Sequence, residues 1–380
     1  MTAGIMTKTM LPFLVACVFA AFAAAIALAF AGAASPAAAA HIGFAAGIMP
    51  LIFGAMMHFV PVLTRGRPPQ ARAQAIPPAM LGAGLVAAAA FLLPGFFQIG
   101  IRIAVLAGLT FALAMAVWMV RCARAALGAP HPCLRWYLAA VGCLILALLA
   151  VLAMEFFPDH RPALRLFHLH LNTLGFIGLT ALGTLTVLLP TAAGQPDPDA
   201  AGRLRRDLPL AVAGVLLTAA GAAWWPPLAY AGLVLLFLPV ALLGTAWVVR
   251  FPRAMLRVHG AAPSLALALA GLLALLFLSA LHAQRRLAGG DAVFGFLLAF
   301  LLPLVSGAAS QLLPLWLKPG AQTDWHRAAR ETLGRFAVLR GLTFVAAGWL
   351  VAAGWPPGAW LALAGLAAFV AQALRVAAQR

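Results

Sequence analysis

Nine histidines, against only eight carboxylates, are the residues of this 380-residue chain best suited to chemistry. Two of them stand in equivalent surroundings. One stretch reads HIGFAAGIMPLIFGAMMHFVPVLTRG from His41, a second reads HLNTLGFIGLTALGTLTVLLPTAAG from His170, and a third reads FLLAFLLPLVSGAASQLLPLWLKPG from Phe296. Aligned on Gly54, Gly183 and Gly307, each has a proline seven residues later (Pro61, Pro190, Pro314) and a glycine soon after (Gly66, Gly194, Gly320). Thirteen residues before each aligned glycine stand His41, His170 and Phe294. Neutral imidazole ligates haem iron, copper and zinc. Two readings of His41 and His170 stand side by side: cofactor ligands at one depth, or histidines that hydrogen-bond between helices. His168 and His58 are further metal candidates. His168 lies two residues from His170, about 200° around a helix axis, so the pair does not easily face one small ion. His58 is 17 residues beyond His41, about 25 Å along a helix, and serves either a second site or the interface at the far end of the run. Cys17, Cys122, Cys133 and Cys143 show neither CxxC pairing nor zinc spacing and read as small core residues.

The elements that position these residues are membrane spans. The chain is 65% apolar and 9% charged, whereas soluble domains run at roughly 45–50% and 25%. That excludes a soluble globular protein, a disordered one, and a soluble catalytic domain of any size. Apolar runs fall at about 10–33, 40–64, 76–97, 100–120, 136–157, 163–192, 207–225, 227–249, 260–282, 292–316, 334–353 and 356–376. At about 20 residues per span, these are twelve helices. Pro77-Pro78, Pro94-Gly95, Pro226-Pro227 and Pro356-Pro357-Gly358 separate neighbouring runs, since hydrocarbon does not forgive the backbone hydrogen bonds a proline removes. The first run is too long for a signal-peptide core and is read as a helix. The expected architecture is an all-α polytopic bundle forming a single transmembrane domain, residues 1–380. The recurrence in the second, sixth and tenth runs divides it into three four-helix units, approximately 1–130, 131–255 and 256–380, with those three helices as an inner ring.

A net charge of +17 and a pI near 11.7 would point to nucleic acid in a soluble protein. Here the charges sit in short loops and report topology, with the bilayer as partner and no nucleic acid. With the N-terminus inside, the inner segments hold Lys8, three arginines each near residues 70, 125, 205 and 253, and the cluster from Lys318 to Arg335; the outer side holds Arg102, Arg161, Arg165, Arg285 and Arg286. Both termini are therefore expected in the cytoplasm. His41, His160, His168, His170 and His282 fall on the outer side, and His58, His131, His259 and His326 on the inner. Glu155, Asp159 and His160 read equally as proton-accepting neighbours of the outer histidines and as a solvated loop. The residues from Asp197 to Asp207 read as a mixed-charge loop.

Twelve helices in three sets of four, with histidines at the outer ends of the second and sixth, resemble the haem-copper oxidase subunit I fold. The segments 41–63 and 168–190 look more like the divergent oxidase-like membrane proteins that include the NnrS family. That resemblance implies haem or copper binding through His41 and His170, a setting in nitric oxide response or respiratory metal homeostasis, and other respiratory membrane proteins as partners. The departures are specific. The tenth helix offers Ser306, Ser310 and Gln311 in place of a histidine pair, the seventh has no adjacent histidines, and Leu174 stands where the oxidases carry a tyrosine. Oxygen reduction is therefore not expected. No CxxCH motif occurs, so any haem is non-covalent. The competing readings are a transporter or channel lined by the glycine-rich helices, and a respiratory assembly factor without a redox centre.

The orientation has a direct check: reporter fusions after residue 200 should report the cytoplasm and fusions near residue 160 the opposite side, and reversal at either point overturns it.

Overall fold

The computed structural model describes residues 2–283 and 289–379. Arg285 and Arg286, expected on the outer side, lie outside the described residues, as do the side chains of Lys8 and His282. Among the described residues there is no strand, and twelve helices are long and apolar enough to cross a membrane. They are α1 (Met10–Phe30), α2 (Pro36–Thr64), α3 (Ala71–Leu92), α4 (Pro94–Arg124), α5 (Cys133–Phe156), α6 (Pro158–Ala193), α7 (Ala200–Trp224), α8 (Pro226–Arg250), α9 (Ala261–Ala280), α10 (Gly290–Leu317), α11 (Asp324–Ala352) and α12 (Gly358–Ala378). The protein is an all-α polytopic membrane bundle. α7 and α11 begin furthest ahead of their apolar runs. α7 starts at Ala200 with charged residues in its first two turns, and α11 gains a charged, amphipathic first segment, Asp324–Leu333, that buries His326, Ala329 and Leu333.

α2, α6 and α10 share features beyond the sequence recurrence. Each contains a π-helical stretch, in which hydrogen bonds run i→i+5 and the turn is widened by a residue: His41–Ile48, Leu171–Leu179 and Phe296–Leu301. Measured from the aligned glycines, these stretches begin thirteen, twelve and eleven residues ahead. The α-helical segments that follow end at Thr64, Ala193 and Leu317, each three residues past its proline. α2 and α6 also close alike. The Gly66 N–H donates to Pro61 O at 2.8 Å and the Gln195 N–H to Pro190 O at 3.1 Å, six-residue closures around a left-handed residue, Arg65 (φ 50°) or Gly194 (φ 69°). The three are also the most buried spans, with 61, 72 and 78% of their most apolar windows buried against at most 56% elsewhere.

The chain forms two compact units. In the unit made of Met1–Gly43, Val187–Asp197 and Val240–Arg380, the π-helical stretch of α10 packs against glycines of α9 and α11: a Cβ on Gly271 would lie 2.0 Å from Ala299 O, and one on Gly348 2.7 Å from Ala299 N. Phe19 of α1 meets Phe369 of α12 edge-on at 5.2 Å. In the unit made of Phe44–Thr186 and Pro198–Pro239, a Cβ on Gly84 of α3 would lie 2.0 Å from Ala45 O of the α2 stretch. Gly175 of the α6 stretch faces Cys143 of α5, while Trp136 Nε1 donates to Leu204 O at 2.9 Å and Tyr137 pairs with Thr184 at 2.9 Å. In hydrocarbon, where hydrophobicity gives helices no reason to associate, such close approach over small residues supplies the packing energy.

Gly84→Ala and Gly271→Ala should each lower the midpoint of thermal unfolding in detergent, at a cost of about 1–3 kcal/mol for forcing a methyl group against backbone. Gly82→Ala has nothing within 4 Å of its added Cβ and should leave the midpoint unchanged or raise it, since alanine favours the helix by about 1 kcal/mol. Equal effects at all three positions would show that the glycines are not what sets the helix spacing.

Candidate functional site

α6 brings its histidines to the junction between an α-helical first segment, Arg161–His170, and the π-helical stretch that follows. His170 Nδ1 lies 2.8 Å from Leu166 O, one turn back. A carbonyl oxygen only accepts, so Nδ1 carries the proton, and the neutral ring has its lone pair on Nε2. His41 does the same at the head of the α2 stretch, with Nδ1 2.8 Å from Ala37 O. The two residues thus share repeat position, ring orientation and tautomer. His168 also directs Nδ1 at a carbonyl, Ala147 O of α5 at 3.0 Å, so it is tied to the neighbouring helix rather than to its own. All three side chains are half-buried. Such anchoring of Nδ1 is what orients a histidine that ligates a metal through Nε2.

The histidines expected on the other side behave differently. His131 Nδ1 accepts from Cys133 N at 3.3 Å, His259 Nδ1 from Phe336 N at 3.0 Å, and His326 Nδ1 from Thr323 N at 3.0 Å while its Nε2 donates to Lys318 O at 2.8 Å. These rings satisfy backbone N–H groups at helix starts and at a break, which accounts for them structurally. For His131, burial and then the nearby Arg205 guanidinium hold the pKa below its usual value, in keeping with an acceptor Nδ1. His58 is exposed and lies edge-on to Phe59 at 5.1 Å.

Asn172, in the first turn of the α6 stretch, donates through Nδ2 to His168 O at 2.9 Å, and its Oδ1 is buried with no hydrogen-bond partner. A buried acceptor without a partner costs about 1–3 kcal/mol. Among the described residues, no group of three His, Cys, Asp or Glu side chains comes together to hold a metal ion. His41 belongs to the first unit and His168 and His170 to the second. Glu155 pairs with Arg102 at 2.8 Å, and Glu155, Asp159 and His160 are all exposed, as in a solvated loop.

One expectation needs correcting, and one residue was missed. The segment from Asp197 to Asp207 is more than a mixed-charge loop: Asp197 has a side chain 1% exposed and pairs with Arg250, while Asp207 is buried inside α7 and held by Arg206 at 2.6 Å. Arg340 went unnoticed among the loop cations, because it sits inside the eleventh apolar run. It is 7% exposed, stacks 4.6 Å over Phe369, and sends Nη1 to Leu333 O and Arg335 O and Nη2 to Ser310 Oγ. It thereby closes the end of the Asp324–Leu333 segment where α11 breaks at Phe336 (φ 52°). An ionisable residue within an apolar run was the signal available in the sequence.

No family model matches this sequence, and no curated protein matches it.

Arg340→Met should lower stability by about 1–3 kcal/mol, because Leu333 O keeps Ser310 as a donor at 3.0 Å while Arg335 O and Gln372 Oε1, the latter also accepting from Nη1 at 3.3 Å, lose theirs. Arg340→Lys should recover only part of that loss, lacking the guanidinium fork. Full recovery by lysine in thermal unfolding would contradict the capping role.

Proposed function

We propose that this integral membrane protein binds non-covalent haem, with His41 and His170 each a candidate iron ligand. The observation that carries the reading is the match between the two residues: the same repeat position, the same Nδ1 bond to the carbonyl one turn back, and a widened turn that His41 opens and that begins one residue after His170. π-helical insertions of this type are frequent at functional sites. The buried Oδ1 of Asn172 beside the histidine pair of α6 is an acceptor that a ligand donor or water would satisfy. Haem fits the donor set better than copper does. A porphyrin supplies four nitrogens and needs one or two protein ligands, whereas copper held by side chains needs about three.

A bound haem would supply one-electron chemistry or binding of a diatomic ligand. The chain's own contribution is to fix the imidazoles by their Nδ1 bonds and to exclude water with the apolar walls. A setting in nitric oxide handling or respiratory metal homeostasis, alongside other respiratory membrane proteins, is part of the same proposal and rests on the resemblance read in segments 41–63 and 168–190. The arginine asymmetry supports placement in a cytoplasmic membrane with both termini inside. The buried glycine-rich α2, α6 and α10 also suit a transporter or assembly scaffold, and those readings require no haem.

Protein purified after expression with a haem supply should show a Soret band. His41→Ala or His170→Ala should reduce haem content several-fold with unfolding temperature preserved in the apo form, and His131→Ala should leave haem content unchanged. Full haem and metal content in both helix variants, or none in the parent protein, would leave the transporter or scaffold reading ahead.

A further inference from the structure

α1, α10 and α12, all within the first unit, leave between them an apolar groove of about 560 Å³. Pro12, Ala16, Ala20 and Ala23 form one wall, and Leu317 and Leu374 stand at one end. From Pro12 to Ala23 the groove rises about 16 Å at 1.5 Å per residue, and one leaflet of a roughly 30 Å hydrocarbon core is about 15 Å deep. The groove is therefore as long as one leaflet.

The end marked by Leu317 and Leu374 is cationic. Lys318 and Arg375 directly follow these two wall residues, and both are exposed. Lys318 Nζ lies 5.6 Å from the Trp325 ring centroid, and Trp325 Nε1 donates to Gln379 O at 2.9 Å. Those contacts place the ends of α10 and α12 and the start of α11 at a single mouth, with the tryptophan and basic residues typical of a membrane–water interface. Asp324, at the same end, is paired with Arg327.

We propose that this groove is a binding site for an anionic phospholipid of the surrounding leaflet, with one acyl chain along the alanines of α1 and the phosphate between Lys318 and Arg375. An apolar slot one leaflet deep takes a single hydrocarbon chain, and two cations at the mouth, with Asp324 there already paired with Arg327, select a negative headgroup over a zwitterionic one. The site involves neither His41 nor His170 and does not depend on haem binding.

The test uses the full chain, delipidated in detergent and then offered an equimolar mixture of phosphatidylglycerol and phosphatidylcholine, with retained lipid counted by mass spectrometry after washing. One phosphatidylglycerol per chain should be retained in preference to phosphatidylcholine. Lys318→Gln and Arg375→Gln should each weaken that retention roughly fivefold, and Ala20→Phe, which fills the slot, should abolish it. The two charge variants lie on the exposed surface and keep the question answerable if Ala20→Phe does not fold. Equal retention of the two lipids, unchanged retention in the double charge variant, or a chain dimer lost in Ala20→Phe would each overturn the proposal.

Discussion

Hydrocarbon offers no hydrogen bonds, and every backbone N–H and C=O of a span must find its partner within the protein. The architecture follows from that constraint. It makes all twelve spans helical and confines most prolines to first turns or to positions near helix ends, where fewer bonds are lost. It also sets the terms on which α2, α6 and α10 depart from regular α-helix. A π-helical stretch keeps the backbone bonded while inserting a residue, so the wider turn is obtained without leaving carbonyls exposed to lipid. The departures are paired with glycines on neighbouring spans, Gly84 against Ala45 and Gly271 against Ala299, so the altered helices remain closely packed.

Charge inside the bundle obeys the same economy. Arg340 spreads its donors over carbonyls and hydroxyls at a helix break and lays its face on Phe369. Asp197 and Asp207 are buried only in the company of Arg250 and Arg206. The histidines divide by the same logic. His131, His259 and His326 take backbone N–H groups on Nδ1, and that demand sets their tautomer. His41 and His170 give their Nδ1 proton to a carbonyl, and the lone pair on Nε2 is the one that a metal centre would use.

Much of this was legible in the sequence, for identifiable reasons. Composition and run length gave twelve spans because hydrocarbon thickness dictates both. The glycine–proline recurrence picked out α2, α6 and α10, and their burial and shared ends give that recurrence a structural counterpart. The π-helical stretches were not legible, because i→i+5 bonding leaves no periodic trace in a run apolar on every side. The charged first turns of α7 and the Asp324–Leu333 segment were missed because hydropathy treats a helix with one polar face as a loop. Arg340 was overlooked for the opposite reason, since its apolar neighbours masked it. The tautomers of the histidines required coordinates, as sequence spacing says where a ring is and not which nitrogen faces the backbone.

Under the proposal that His41 and His170 ligate iron, electron paramagnetic resonance of the oxidised, purified protein is the most direct measurement. A ferric haem signal with imidazole as axial ligand, altered in shape when either histidine is replaced, is the expected result. A protein from haem-replete cells with no ferric haem signal, or with one that neither replacement changes, would contradict it.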